Sequence, residues 1–80
     1  MKIQVLFFGI TTDLAGKSSI SLTVSENTTV YELKEILKLN YPNLKNIHDF
    51  AIAVNETYAD NNLALSEGNV VAIIPPVSGG

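Results

Sequence analysis

The stretch Gly68-Asn69-Val70-Val71-Ala72-Ile73-Ile74-Pro75-Pro76-Val77-Ser78-Gly79-Gly80 decides how this chain folds. Glu67-Gly68-Asn69 is a turn signal, and Val70 to Ile74 after it is apolar on both alternating faces. A strand that is apolar on both sides belongs in the middle of a sheet. Pro75-Pro76 then ends it, because proline cannot donate a ladder hydrogen bond. Alternation places Val71 and Ile73 on one face and Ala72 and Ile74 on the other.

Working outward, a central strand needs neighbours, and Lys2 to Phe8 is the first of them. Ile3, Val5 and Phe7 share one face by period two, and Lys2, Gln4, Leu6 and Phe8 share the other. Gly9 ends that strand, and Ile10 to Ala15 has room for one short helical turn before Gly16. Ser18 to Val24 reads as a second strand, with Ile20, Leu22 and Val24 alternating with Ser19, Ser21 and Thr23. The economical pairing of these two strands is an antiparallel hairpin. Thr29 to Asn40 is the one main helix. Thr29 and Glu32 have the spacing of a capping box, and Val30, Leu33, Ile36 and Leu37 fall on one side. Lys34 and Lys38 sit in its later turns, favourable to the helix dipole. Tyr41-Pro42 stops it, since proline disfavours the helical conformation in the residue before it.

Asn43 to Asp49 reads as irregular with room for one turn, Phe50 to Val54 as a strand, Asn55-Glu56 as a turn, and Thr57-Tyr58 as a short returning strand. Asp60-Asn61-Asn62 turns the chain again. The order is strand, strand, helix, strand, short strand, strand, and the helix must cover one face of a mixed sheet. The element order is that of an α+β, β-grasp (ubiquitin-like) architecture with a mixed sheet of about five strands, and by analogy with that architecture the terminal strands are expected to be central and parallel. Its domain is residues 1–74, and residues 75–80 form a C-terminal Pro-Pro-Val-Ser-Gly-Gly arm.

Composition narrows the function. The 80 residues carry five Lys, no Arg, eight Asp plus Glu and one His, for a net charge of −3. Nucleic-acid binding through displaced phosphate counterions is disfavoured, as is a basic membrane-binding face. No cysteine is present, which excludes disulfides, zinc–thiolate sites and thiol nucleophiles. A disulfide-free domain this small fits a reducing, cytoplasmic compartment. The apolar start of the chain is broken by Gln4 and lacks a small-residue cleavage site, so it does not read as a signal peptide. No run is long enough to span a bilayer. Hydrophobic residues make up 46% and charged residues 16%, so some apolar surface is expected to stay exposed as a partner face.

Few residues offer chemistry. His48-Asp49 is the nearest thing to an acid–base dyad, yet neighbouring side chains seldom converge, and a loop role is expected. The carboxylates are scattered without the spacing of a metal cage, so no metal is expected. The helix stripe is core. Two features remain. If the first and last strands pair, Leu6, Phe8 and Ile74 form an apolar patch away from the helix, with Tyr58 at its margin, unless a loop covers them. The other is the arm: Pro-Pro is stiff, glycines thread narrow channels, and the last charge is the terminal carboxylate of Gly80. Fully extended, residues 75–80 reach roughly 20 Å. A frayed terminus is the plain alternative.

These residues resemble a known family, the small subunits of molybdopterin synthase, which are ubiquitin-like sulfur carriers. The resemblance covers essentially the whole chain. It is carried by Val5-Leu6-Phe7-Phe8, Asp13-Leu14-Ala15-Gly16, Val54-Asn55-Glu56-Thr57-Tyr58 and Leu65-Ser66-Glu67-Gly68. Its strongest part is Val71-Ala72-Ile73-Ile74-Pro75-Pro76-Val77-Ser78-Gly79-Gly80. The chain departs from the family where Thr12 stands in place of a frequent Arg, and where Asn69-Val70 replaces two acidic residues.

The resemblance implies a mechanism. A ubiquitin-activating-like adenylating enzyme uses ATP to convert the Gly80 carboxylate to an acyl adenylate, and a sulfur donor turns that into a thiocarboxylate. The arm (Pro75, Pro76, Val77, Ser78, Gly79) inserts into the large synthase subunit, and the sulfur passes to a cyclic pyranopterin precursor in molybdenum cofactor biosynthesis. Leu6, Phe8, Tyr58 and Ile74 would dock that subunit in a heterotetramer. The chain would bind no cofactor and would not be catalytic alone. Other readings are a sulfur carrier for another pathway such as thiazole synthesis, a ubiquitin-like protein modifier, and a plain interaction domain that ignores its tail.

Overall fold

The computed structural model describes residues 1–47 and 49–76. Strand β1 (Lys2–Phe7) buries Ile3, Val5 and Phe7 and turns Lys2, Gln4 and Leu6 the other way, as period-two alternation requires. Phe8 lies one residue past its end, yet its N–H still donates to the Ile73 carbonyl at 3.2 Å. Helix α1 (Ile10–Ala15) occupies the residues expected to form a short helical turn, and Gly16 closes it in the left-handed conformation at φ 75°.

Strand β2 (Ser19–Thr23) pairs antiparallel with β1, Val5 opposite Ile20 and Leu6 opposite Ser19. The main helix, α2 (Val30–Asn40), starts with the capping box its sequence announces. The Thr29 hydroxyl accepts from the Glu32 N–H at 3.2 Å, and the Glu32 carboxylate accepts from the Thr29 N–H at 3.0 Å. Both bonds satisfy donors that have no partner within the helix. Val30, Leu33 and Leu37 are fully buried, and Ile36 packs at the margin of the core.

The turn expected in the irregular stretch is a 3-10 helix, Pro42–Asn46, which drives Leu44 into the core. Strand β3 (Ala51–Val54) starts one residue later than expected. Phe50 is already buried, its N–H held by the Asp49 carboxylate at 2.7 Å rather than by a neighbouring strand. β3 turns through Asn55 and Glu56, both at positive φ, into the two-residue β4 (Thr57–Tyr58). Positive φ at both central residues matches the right-handed twist of a tight hairpin.

The last strand, β5 (Val70–Ile74), is the middle one: the sheet order is β2-β1-β5-β3-β4. It runs parallel to β1, with Val5 beside Val71 and Phe7 beside Ile73, and antiparallel to β3, with Ala53 beside Ala72. Helix α2 covers the face bearing Val5, Phe7, Ile52, Val71 and Ile73. The segment before β5 is tied in at both ends. Val30 N–H donates to the Leu63 carbonyl at 2.9 Å, and Gly68 N–H donates to the Lys2 carbonyl at 2.8 Å. Among the described residues, no helix is long and apolar enough to cross a membrane.

Candidate functional site

The arm leaves the sheet from its central strand, and the elbow between β1 and α1 shapes that exit. Gly9 has φ 55° and ψ −136°, a conformation open to glycine and costly for other residues. A Cβ at Gly9 would lie 3.0 Å from Cγ of Pro75, so the elbow and the arm root touch closely. Thr11 fixes the elbow from below. It is fully buried, accepts from the Phe8 N–H at 2.9 Å and donates to the Phe8 carbonyl. Its hydroxyl is also 3.4 Å from the Ile73 carbonyl. The end of β5 is thereby held before the prolines begin.

On its other side the arm root borders a groove lined by Lys34, Asp49, Phe50, Ala51, Ile74, Pro75 and Pro76. Lys34 Nζ is 3.9 Å from the Asp49 carboxylate. The ammonium groups of Lys34 and Lys38 stand 5.9 and 6.0 Å from the centre of the Phe50 ring. These two lysines therefore cover an aromatic core residue with their stems and charges as well as complementing the helix dipole. Asp49 serves this local structure. His48 lies outside the described residues, so the suggested His48-Asp49 pair has no geometry to report.

The face of the sheet away from α2 carries the apolar patch. Phe8, Ala53, Glu56, Tyr58, Ala72 and Ile74 line one shallow depression across β5, β3 and β4. Phe8 is 49% exposed and Tyr58 72%, and unlike the exposed Tyr31 of α2 the two share one depression. Leu6 shares the face beside Ala72 but is half-buried and outside the depression's lining. Glu56 is the one charged residue lining it. The structure thus brings Phe8, Tyr58 and Ile74 together and sets Leu6 at the border. Among the described residues, no three of His, Asp and Glu gather in a metal-holding cluster.

Pro75 and Pro76 are placed, while Val77, Ser78, Gly79 and Gly80 lie outside the described residues. What can be stated of the site is its base: an apolar face, a glycine elbow and a rigid two-proline root on the central strand. Among the described residues it holds no acid–base constellation.

Comparison with known proteins decides the family. Residues 5–80 match the ThiS family. This chain belongs to that family. A relative of this ThiS-family chain, the molybdopterin synthase sulfur carrier subunit of Caenorhabditis elegans, is 35% identical over 83 aligned positions, covering 100% of this chain and 99% of the relative. Among solved structures, a putative molybdopterin converting factor subunit 1 from Pyrococcus furiosus superposes with a TM-score of 0.89 at 29% identity, covering 96% of this chain and 99% of that one. A chain from the complex of subunits 1 and 2 of the Helicobacter pylori molybdopterin-converting factor superposes with a TM-score of 0.72 at 30% identity, over 100% of both chains.

Five contributors to this site were not named as site residues from sequence: Gly9, Thr11, Ala53, Glu56 and Ala72. Gly9 carried a usable signal, a glycine directly after a strand. Ala53 and Glu56 carried none, because they join the depression only once β3 and β4 lie beside β5. The positions expected to depart from the family pattern, Thr12 and Asn69-Val70, make local hydrogen bonds. Thr12 donates its hydroxyl to the Phe7 carbonyl at 3.1 Å. Asn69 accepts from the Ser66 N–H at 2.7 Å, and the Val70 N–H donates to the Asn55 side chain at 2.9 Å.

Proposed function

We propose that this chain is the sulfur carrier subunit of a molybdopterin synthase, with Gly80 as the residue that bears the sulfur. The observation that carries the reading is the full-length likeness to molybdopterin synthase sulfur carrier subunits, within a ThiS-family match that runs through Gly80.

The chemistry asks little of this chain. A carboxylate is a poor electrophile until one oxygen becomes a good leaving group. The Gly80 carboxylate attacks the α-phosphorus of ATP in the adenylating enzyme, and pyrophosphate leaves. A donor that delivers sulfur at the sulfide level then displaces AMP, leaving a C-terminal thiocarboxylate. Its sulfur attacks a carbon of the pyranopterin precursor in the large subunit and displaces an oxygen leaving group there, and hydrolysis of the resulting thioester leaves the sulfur on the precursor and returns the Gly80 carboxylate for another cycle. ATP is a substrate of the partner enzyme and not a cofactor of this chain. The arm of Pro75, Pro76, Val77, Ser78 and Gly79 supplies reach and a thin profile.

Docking to the large subunit falls to Phe8, Tyr58 and Ile74, with Leu6 at the edge. A small apolar face with few anchors suits a reversible complex, as a recycled carrier needs.

The test is the intact mass after incubation with adenylating enzyme, ATP and a sulfur donor, beside a chain lacking Gly80. Replacement of one oxygen by sulfur in the full chain only is the expected result. An unchanged mass, with an enzyme active on another carrier, rejects the reading.

A further inference from the structure

The two edges of the sheet are guarded very differently. β4 is only two residues long and runs at once into the 59–63 turn, so it offers little to an added strand. β2 is five residues long, and in the sheet order nothing lies beyond it. Its outward groups can be identified from the ladder with β1. Ser18 O accepts from Phe7 N–H, and Val24 N–H donates to Met1 O, both at 2.9 Å. In an antiparallel pair the bonding residues alternate, so Ile20 and Leu22 also bond inward. The N–H and C=O groups of Ser19, Ser21 and Thr23 therefore point away from the sheet. No charge, proline or bulge protects them: residues 18–25 are Ser-Ser-Ile-Ser-Leu-Thr-Val-Ser.

This edge is close to palindromic about Ser21. Ile20 and Leu22 flank it, then Ser19 and Thr23, with Lys17 and Glu26 near the two ends. We propose that β2 pairs antiparallel with β2 of a second copy of this chain, about a two-fold axis at Ser21.

The register follows from which groups face outward. Ser21 lies opposite Ser21 of the second copy, and Ser19 lies opposite Thr23, all as hydrogen-bonded pairs that exchange both ladder bonds. Ile20 then lies opposite Leu22 of the second copy in the closer, non-hydrogen-bonded spacing, on the helix side of the sheet. Both are only half-buried in one chain and pack on the margin of its core, so the pairing extends each core across the junction. The opposite side matches hydroxyl to hydroxyl. Lys17 comes beside Ser25 and Glu26 of the second copy. Lys17 and Glu26 are exposed, and among the described residues neither forms an ion pair. Apolar, hydroxyl and opposite-charge pairs are the cross-strand combinations that stabilise a sheet.

One isologous contact closes on itself and stops at two copies, since the β4 edges are too short to propagate it. The arm and the Phe8–Ile74 depression lie on other strands, so both stay open in the dimer. The inference does not depend on the sulfur-carrier reading. Five-residue strands make a small interface, so the association is weak and concentration-dependent.

Sedimentation of the full chain from micromolar to millimolar concentration tests it, with amide exchange at Ser19, Ser21 and Thr23 followed alongside. The expected result is a monomer–dimer equilibrium in which those three amides gain protection as dimer forms. Ser21→Lys sets like charges opposite each other and is expected to weaken association by about tenfold or more, with the monomer's melting temperature retained. Ser21→Glu alone behaves likewise, and mixing the two variants restores a heterodimer, which only a Ser21-centred register explains. A wild type that stays monomeric throughout overturns the proposal and leaves the edge to a strand of a different chain. So does a Ser21→Lys variant that associates like wild type, or a mixture that fails to associate when wild type does.

Discussion

Gly9 and Pro75 touch across the junction between the first and last strands: a Cβ on Gly9 would lie 3.0 Å from Cγ of the proline. They are far apart in sequence and meet because β1 and β5 run parallel side by side, so each strand delivers its last residues to the same end of the sheet. The arm therefore departs against a fixed surface. Thr11, buried beneath the elbow, holds the backbone of Phe8 in the same place.

Gly9→Val is expected to destabilise the domain by about 1–3 kcal/mol, the range for a non-glycine residue forced into a sparsely populated backbone region. The β-branched side chain adds a collision with Pro75. Urea unfolding of the variant beside wild type measures the loss. A stability equal to wild type would mean that the elbow can reset its backbone without disturbing the arm root.

Phe8→Asp separates docking from folding. Phe8 is 49% exposed, so its replacement is expected to leave the unfolding midpoint close to wild type. Binding to the large synthase subunit is expected to fall by about 30-fold, the effect of losing a central aromatic anchor of about 2 kcal/mol. Calorimetric titration and thermal melting together give the answer. A variant that melts far below wild type would show that the residue is core instead.

Thr29→Ala removes one half of the capping box at the start of α2. The expected loss is about 1 kcal/mol, with a range of about 0.5–2 kcal/mol. The neighbouring Glu32 then keeps its bond to the Thr29 backbone position but no longer has its own N–H satisfied. Chemical denaturation resolves a change of this size, and an unchanged midpoint would assign the cap's role to the bridge between Thr29 and Ala64.

The parts of this protein legible in its sequence are those governed by near neighbours along the chain. The capping box of Thr29 and Glu32, the buried stripe of Val30, Leu33 and Leu37, and the alternation of Ile3, Val5 and Phe7 are all set by residues a few positions apart, where helical and strand periodicity acts. The doubly apolar Val70–Ile74 announced a central strand for the same reason, because burial on both faces leaves no room for a polar period. Where local signals compete, the boundaries moved by a residue. Phe50 sits before β3 and not within it, since the Asp49 carboxylate takes its N–H first. Residues 42–46 form the one turn expected in an irregular stretch, as a 3-10 helix that starts a residue earlier, at Pro42.

Tertiary structure alone decided what meets across strands. The depression needs Ala53 and Glu56 beside Ala72 and Ile74, and that juxtaposition exists only after β3 has paired with β5. The contact of Gly9 with Pro75, the Lys34 and Lys38 ammoniums over Phe50, and the unguarded edge of β2 likewise depend on strand order and helix placement. Sequence periodicity specifies which face of each element is apolar. Which elements lie next to one another is set by the packing that buries all those faces at once, and in an 80-residue chain that packing leaves Phe8, Tyr58 and the edge of β2 uncovered.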